Sequence, residues 1–268
     1  MADLKGRDGR APNRRGVRIA ALADLHCSKG SQGQLAPLFV EAAAAASVLL
    51  MCGDLTDYGH PEEAHVLVKE LTGAKIPMVA VLGNHDHESG KHEEVTAILC
   101  EAGVNVLDGE ACELHGIGFA GVKGFGGGFG QRMLSPWGES AIKNFVHEAV
   151  EEGLRLERAL QRLTTRQRIA LMHYAPIRAT VEGESPETFA FLGSSRLEEP
   201  LSRYPVAAVF HGHAHVGSPE GATSTGVPVY NVSLPLMRKH YPDRPPFRIF
   251  EIRASDIEAP AEQESAAA

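Results

Sequence analysis

Five short apolar runs, each ending in a cluster of histidine, carboxylate or amide side chains, constrain this chain more than any other feature. VRIAALA (17–23), SVLLMC (47–52), IPMVAVL (76–82), RIALM (168–172) and VAAVF (206–210) are nearly continuous in apolar character. Runs of that length and pattern predict strands buried on both faces. Helical segments are predicted around 33–46, 61–72 and 92–102, and a longer one over 139–163 that Gly153 divides. The second opens on His60-Pro61-Glu62-Glu63, with the proline and acids that first turns favour.

Strands alternating with helices predict a layered α/β fold. VPVYNVS (227–233) and FRIFEI (247–252) read as further strands of a second sheet packed on the first, giving a β-sandwich flanked by helices. There is no internal repeat. The expected organisation is a flexible basic leader (1–16), one domain (17–253) and a flexible tail rich in Ala and Glu (254–268).

The residues just beyond each strand carry the chemistry. Asp24-Leu25-His26 comes after the first, Gly53-Asp54-Leu55-Thr56-Asp57 after the second and Gly83-Asn84-His85-Asp86-His87 after the third. The fourth leads into His173-Tyr174 and the fifth into Gly212-His213-Ala214-His215. Loops beyond the carboxyl ends of strands converge on one edge, where α/β folds bind ligands. Read singly, a DxH is a cap or a surface turn and a GHxH a hydrogen-bonded turn; five clusters at one edge have no such explanation. Carboxylate, imidazole and amide oxygen together suit Mn, Fe, Co, Ni or Zn, whereas an all-oxygen set suits Mg or Ca. About seven candidate ligands exceed what one ion of four- to six-fold coordination uses. Two ions sharing one carboxylate account for them.

The ordered set DLH, GDLTD, GNHD, a single His and GHAH resembles the calcineurin-like metallophosphoesterase superfamily, over the chain from about Val17 to Ser233. The resemblance implies two divalent metal ions. Asp24, His26 and His215 would hold the first, Asn84, His173 and His213 the second, and Asp54 would bridge them. It also implies hydrolysis of a small phosphate ester, two cations about 3.5–4 Å apart activating a bridging hydroxide for attack on phosphorus. The superfamily does not use the residue at His85 as a ligand, so His85 is expected to donate a proton to the leaving group, with Asp86 orienting it. The GNHD form and modest size resemble bacterial class III cyclic-nucleotide-type phosphodiesterases, which favours diesters over monoesters. Those enzymes often carry a double histidine with prolines where this chain has His173-Tyr174-Ala175-Pro176.

Composition narrows the remaining classes. With 26 basic and 34 acidic residues the net charge is −8, which argues against a nucleic-acid-binding surface and hence a nuclease. The alternatives are a phosphomonoesterase or nuclease of the same fold, the acidic balance speaking against the nuclease, and a non-catalytic scaffold, at odds with an intact ligand set. No apolar stretch reaches the roughly 20 residues that span a bilayer, and the start lacks a signal peptide's apolar core. The four scattered cysteines form no CxxC pair, so a cytoplasmic location with reduced thiols is expected. Cys27 and Cys52 read as packing residues, and His211 as a satisfied core histidine. His87 is either a polar rim residue or a substrate contact. Asp57 either hydrogen-bonds a ligand or caps the next helix. Two insertions border the pocket: a Gly-rich loop over 121–138, read as a flap bearing Phe125, Phe129, Arg132 and Trp137, and an acidic segment over 177–197.

Overall fold

The computed structural model describes residues 16–258; the expected leader up to Arg15 and the tail from residue 259 lie outside the described residues. The first half of the chain runs β1 (Val17–Leu22), α1 (Ala36–Ala45), β2 (Val48–Cys52), α2 (Pro61–Leu71), β3 (Met78–Val81), α3 (His92–Glu101) and β4 (Val104–Val106). A hairpin of β5 (Glu110–Leu114) and β6 (Ile117–Gly121) precedes α4 (Ser140–Arg162) and β7 (Gln167–Leu171). Short helices α5 (Phe189–Leu192) and α6 (Glu198–Arg203) lead to β8 (Ala208–His211), β9 (Glu220–Ala222) and β10 (Pro228–Asn231). The chain closes with α7 (Leu234–His240), β11 (Arg248–Ile252) and α8 (Ala254–Glu258).

Two mixed sheets result. One has the order β11-β1-β2-β3-β4, with only β11 antiparallel to its neighbour. The other has the order β5-β6-β7-β8-β10-β9, parallel through its middle and antiparallel at both edges. The apolar runs are continuous because each strand has two dry faces. In β1, Ile19 and Ala21 face the second sheet, while Ala20 and Leu22 face the helices. Val48, Leu50, Val79 and Val81 meet Phe119, Ile169, Leu171 and Phe210 between the sheets. Helices α1 to α3 cover the outer face of the first sheet, and α4 and α6 that of the second.

Several expectations change. The fourth and fifth apolar runs, β7 and β8, lie in the second sheet, and FRIFEI returns to the first, paired with β1. The tail expected from Ala254 begins with the helical turn α8, whose Ile257 packs on the inter-sheet core. Gly153 does not divide α4: a Cβ there would meet the Arg196 carbonyl oxygen at 2.9 Å, so the glycine admits a crossing chain while the helix continues. Helix α2 starts where predicted, the Glu63 carboxylate accepting from the backbone N–H of Tyr58 and His60.

Candidate dinuclear metal centre

The loops after β1, β2 and β3 meet those after β7 and β8 at one edge of the sandwich. Loops one and two run side by side: Asp24 donates its backbone N–H to Gly53 O and His26 donates to Asp54 O, each at 3.0 Å. Holding them there takes unusual backbone. Asp24 (φ 59°), His26 (φ 45°), Asp54 (φ 49°) and His213 (φ 70°) are four of the five non-glycine residues with positive φ among the described residues. The fifth, His115, belongs with Gly116 to the tight β5–β6 turn, which demands that geometry. Elsewhere such a conformation costs on the order of 1–3 kcal/mol per residue, and it concentrates at functional sites. The glycines beside the ligands are equally specific. A Cβ on Gly83 would strike the Asp54 carboxylate, one on Gly212 that of Asp24, and one on Gly53 the His173 ring.

All seven predicted ligands come together. Ligand atoms of Asp24, His26 and His215 lie within 4.8 Å of one another, as do those of Asp54, His173 and His213. Asn84 joins the second group through Oδ1, 2.9 Å from His173 Nε2. Asp54 reaches both groups, with Oδ1 3.3 Å from His173 Nε2 and Oδ2 3.8 Å from His26 Nε2. In the first group His215 Nε2 is 2.9 Å from Asp24 Oδ1.

The donor chemistry fits bound cations. His26 Nε2 is buried with no hydrogen-bond partner, an orphan that a metal ion would satisfy. His173 donates Nδ1–H to Cys52 O at 3.0 Å, since a carbonyl only accepts, and this leaves Nε2 as the site that faces Asn84 and Asp54. Burial alone would lower the His173 pKa; the charge and hydrogen bond of Asp54, with the Asp24 charge and the Cys52 carbonyl, together outweigh it and raise the pKa to about 9. Burial likewise opposes the Asp54 carboxylate, and the facing His173 ring holds its pKa below the usual range. A bound cation would take the place of the His173 proton beside an Asp54 carboxylate that is already ionised. His213 carries its Nε2 3.2 Å from Phe191 O, so α5 borders the second group.

His85 and Asp86 part company. The His85 ring stands edge-on to His26 at 4.5 Å, and one of its ring nitrogens belongs to a third cluster with His26 and Asp54. Its Nδ1–H donates to the backbone carbonyl of Asp57 at 2.7 Å, which leaves Nε2 as the exchangeable position. Asp86 was expected to orient this ring and does not. Its fully buried carboxylate accepts from Leu55 N (3.1 Å), Thr56 N (2.7 Å), Thr56 Oγ1 (2.6 Å) and Gly83 N (2.8 Å), clasping the second loop to the third. Burial, with the Asp54 charge nearby, pushes its pKa up against those four donors. The backbone of Asp57 does the orienting, and no side-chain pattern announces a carbonyl.

The remaining candidates fall into place. His211 is buried, bonded to Gly212 O and Thr180 Oγ1 at 2.8 Å each. Half-buried His87 stacks on His92 at 4.2 Å, and burial lowers its pKa to about 4. Cys27 and Cys52 are packed in the fold, and burial raises the Cys27 thiol to about 12. The Asp57 carboxylate lies 3.5 Å from His26 Nδ1. The Gly-rich loop is bonded to the acidic insertion, Gly127 N donating to Ala190 O (2.6 Å) and Gly128 N to Gly193 O (2.8 Å). Phe125 turns inward onto Phe145 and Tyr174, whereas Trp137 is 76% exposed.

A sandwich whose shared edge gathers imidazole, carboxylate and amide donors around one common aspartate is the layout of a metallophosphoesterase. The chain belongs to the calcineurin-like phosphoesterase family, whose profile matches residues 17–217. It is therefore a phosphoric ester hydrolase by family, with a donor set that could hold two divalent metals. Phosphopantetheinyl hydrolase (PptH) from Mycobacterium tuberculosis is similar in structure, with a TM-score of 0.63 at 16% identity over 92% of this chain and 99% of that one. TT1561 of Thermus thermophilus is similar with a TM-score of 0.55 at 18% identity, over 89% of this chain and 100% of that one. GAP50, the anchor in the inner membrane complex of Plasmodium, gives 0.51 at 13% identity over 84% and 73%. At these identities the likeness is one of fold. No curated protein matches the sequence. Among the described residues no helix is long and apolar enough to cross a membrane.

Proposed function

We propose that this chain hydrolyses small phosphodiesters, with Asp24, His26 and His215 holding one divalent cation, Asn84, His173 and His213 a second, and Asp54 both. The observation that carries the reading is Asp54 itself, whose two carboxylate oxygens face different ligand groups. Bound cations of the Mn, Fe, Zn, Co or Ni type would supply charge for the phosphoryl oxygens and activate water. The protein's own part is then to position and to move a proton. Asp57 O fixes the His85 ring through Nδ1–H, so Nε2 is free to give a proton to the departing alkoxide. Asp86 keeps the loops that carry Asp54 and Asn84 in register.

The GNHD sequence supports diesters, and the net charge of −8 supports small ones over nucleic acid. Four free cysteines suit the reducing cytoplasm. The test is hydrolysis of bis(4-nitrophenyl) phosphate, abolished by a chelator and restored by manganese. Activity indifferent to chelation would overturn the metal reading, and faster turnover of 4-nitrophenyl phosphate would replace diester by monoester.

A further inference from the structure

One cation beside the centre has no task in the scheme above. Lys123 lies just beyond β6, and its backbone carbonyl accepts from both His173 N (2.9 Å) and Tyr174 N (3.2 Å), so its position is tied to the second group of ligands. The side chain is half-buried rather than extended into water. Its ammonium sits 4.9 Å from the Phe125 ring centre and 5.4 Å from that of Tyr174. The Tyr174 ring in turn lies 4.5 Å from the His213 ring, which places Lys123 one aromatic side chain away from the metal-binding residues.

The head group is under-used. Its hydrogen bond is to the adjacent Gly124 O at 2.9 Å, and it forms no ion pair among the described residues. Of the acids whose charges it feels, Glu152, the foremost, and Asp108 have other partners, and Glu148 is exposed to solvent. Glu152 Oε2 accepts from Gly124 N at 2.6 Å and its Oε1 lies 3.5 Å from Arg155, which also bonds Asp108 at 3.1 Å. An ammonium group has three donors. Two remain for a ligand, on a framework of rings that restricts where the charge can go.

We propose that Lys123 is a specificity-determining residue, its ammonium receiving a second anionic group, phosphate or carboxylate, that the substrate carries beside the phosphoryl group taken by the metal-binding side chains. The assignment rests on the phosphoesterase reading for the first group and on Lys123 for the second. It makes the substrate class dianionic or more: a diester with a further phosphate or carboxylate a few bonds from the one cleaved. An uncharged alcohol as the outer portion would leave the cation unmatched.

Calorimetric binding to the manganese-loaded protein tests this without turnover. The probes are orthophosphate, pyrophosphate and 3-phosphonopropionate, which carry one anionic group, a second phosphate, and a carboxylate respectively. Lys123→Met is expected to weaken pyrophosphate or 3-phosphonopropionate at least about tenfold more than it weakens orthophosphate, the loss of one hydrogen bond to a charged group. Which of the two probes responds identifies the second group. Lys123→Arg should retain the discrimination, and Lys123→Gln, should the methionine variant fold poorly, should lose it. Equal weakening of all three probes, or no weakening, would overturn the proposal. Failure of the wild type to cleave any ester while this discrimination persists would count against the proposed activity and not against Lys123.

Discussion

Replacing Asp86 by alanine separates two roles for this residue. If it orients His85, the variant loses turnover and keeps its stability. If it clasps the loops, the variant loses stability, and turnover falls only as far as the loops carrying Asp54 and Asn84 slip out of register. Alanine would strand the backbone N–H groups of Leu55, Thr56 and Gly83 and the Thr56 hydroxyl in a fully buried place. Each unpaired buried donor costs about 1–3 kcal/mol, and water entering the vacated space would return part of that. The net loss is then about 3–5 kcal/mol. In a chain of this length each kcal/mol moves the melting temperature by about 2–4 °C, so a fall on the order of 10 °C is expected. Asp86→Asn should fall between, because its amide keeps one acceptor oxygen and turns an NH2 toward a backbone donor. Thermal unfolding followed by circular dichroism, with and without manganese, reads the result. A melting temperature unchanged by Asp86→Ala, with turnover reduced as far as in a His85 variant, would refute the clasp.

Three further outcomes are expected. His85→Ala should lower turnover of bis(4-nitrophenyl) phosphate about 10²- to 10⁴-fold, a general-acid contribution, with bound metal unchanged by elemental analysis; loss of one metal equivalent would make His85 a ligand instead. Gly83→Ala, which drives a methyl group into the Asp54 carboxylate, should cut manganese affinity measured by calorimetry at least about tenfold, and wild-type affinity would remove Asp54 from the centre. Small diesters should be cleaved far faster than DNA when assayed side by side, and the opposite ranking would favour a nuclease.

The parts of the fold legible in the sequence are those where one residue pattern has one physical cause. β1, β2, β3, β7 and β8 are unbroken apolar runs because each is covered on both faces, and all five appear within a few residues of their predicted places. Their division between two sheets was not legible, since a strand buried under a helix and a strand buried under another sheet demand the same side chains. β6 does not read as a strand because IGFAG holds two glycines, yet it is buried throughout. Both are required by closeness: a Cβ on Gly118 would press on Thr165 and Leu163, and one on Gly121 on Val81 and Leu107. β4 is three residues long and β5 is a half-exposed edge, too short or too polar to stand out. In the candidate site, the ligand types and their order were readable. The Asp86 clasp was not, because its partners are mostly backbone N–H groups on a loop some thirty residues earlier. Lys123 stands in a glycine-rich loop, where residue order alone does not separate a cation held among aromatic rings from a solvated one.

Four of the seven donors belong to loops of one sheet and three to loops of the other. Between those layers the greasy interior provides cohesion without direction, since apolar contacts permit sliding. Cations gripped from both sides would act as rivets at one rim of the sandwich, fixing how the halves are offset. Stripping them should loosen that rim first and leave the far rim held by side chains alone, so the same ions that serve chemistry would also set the alignment of the two halves.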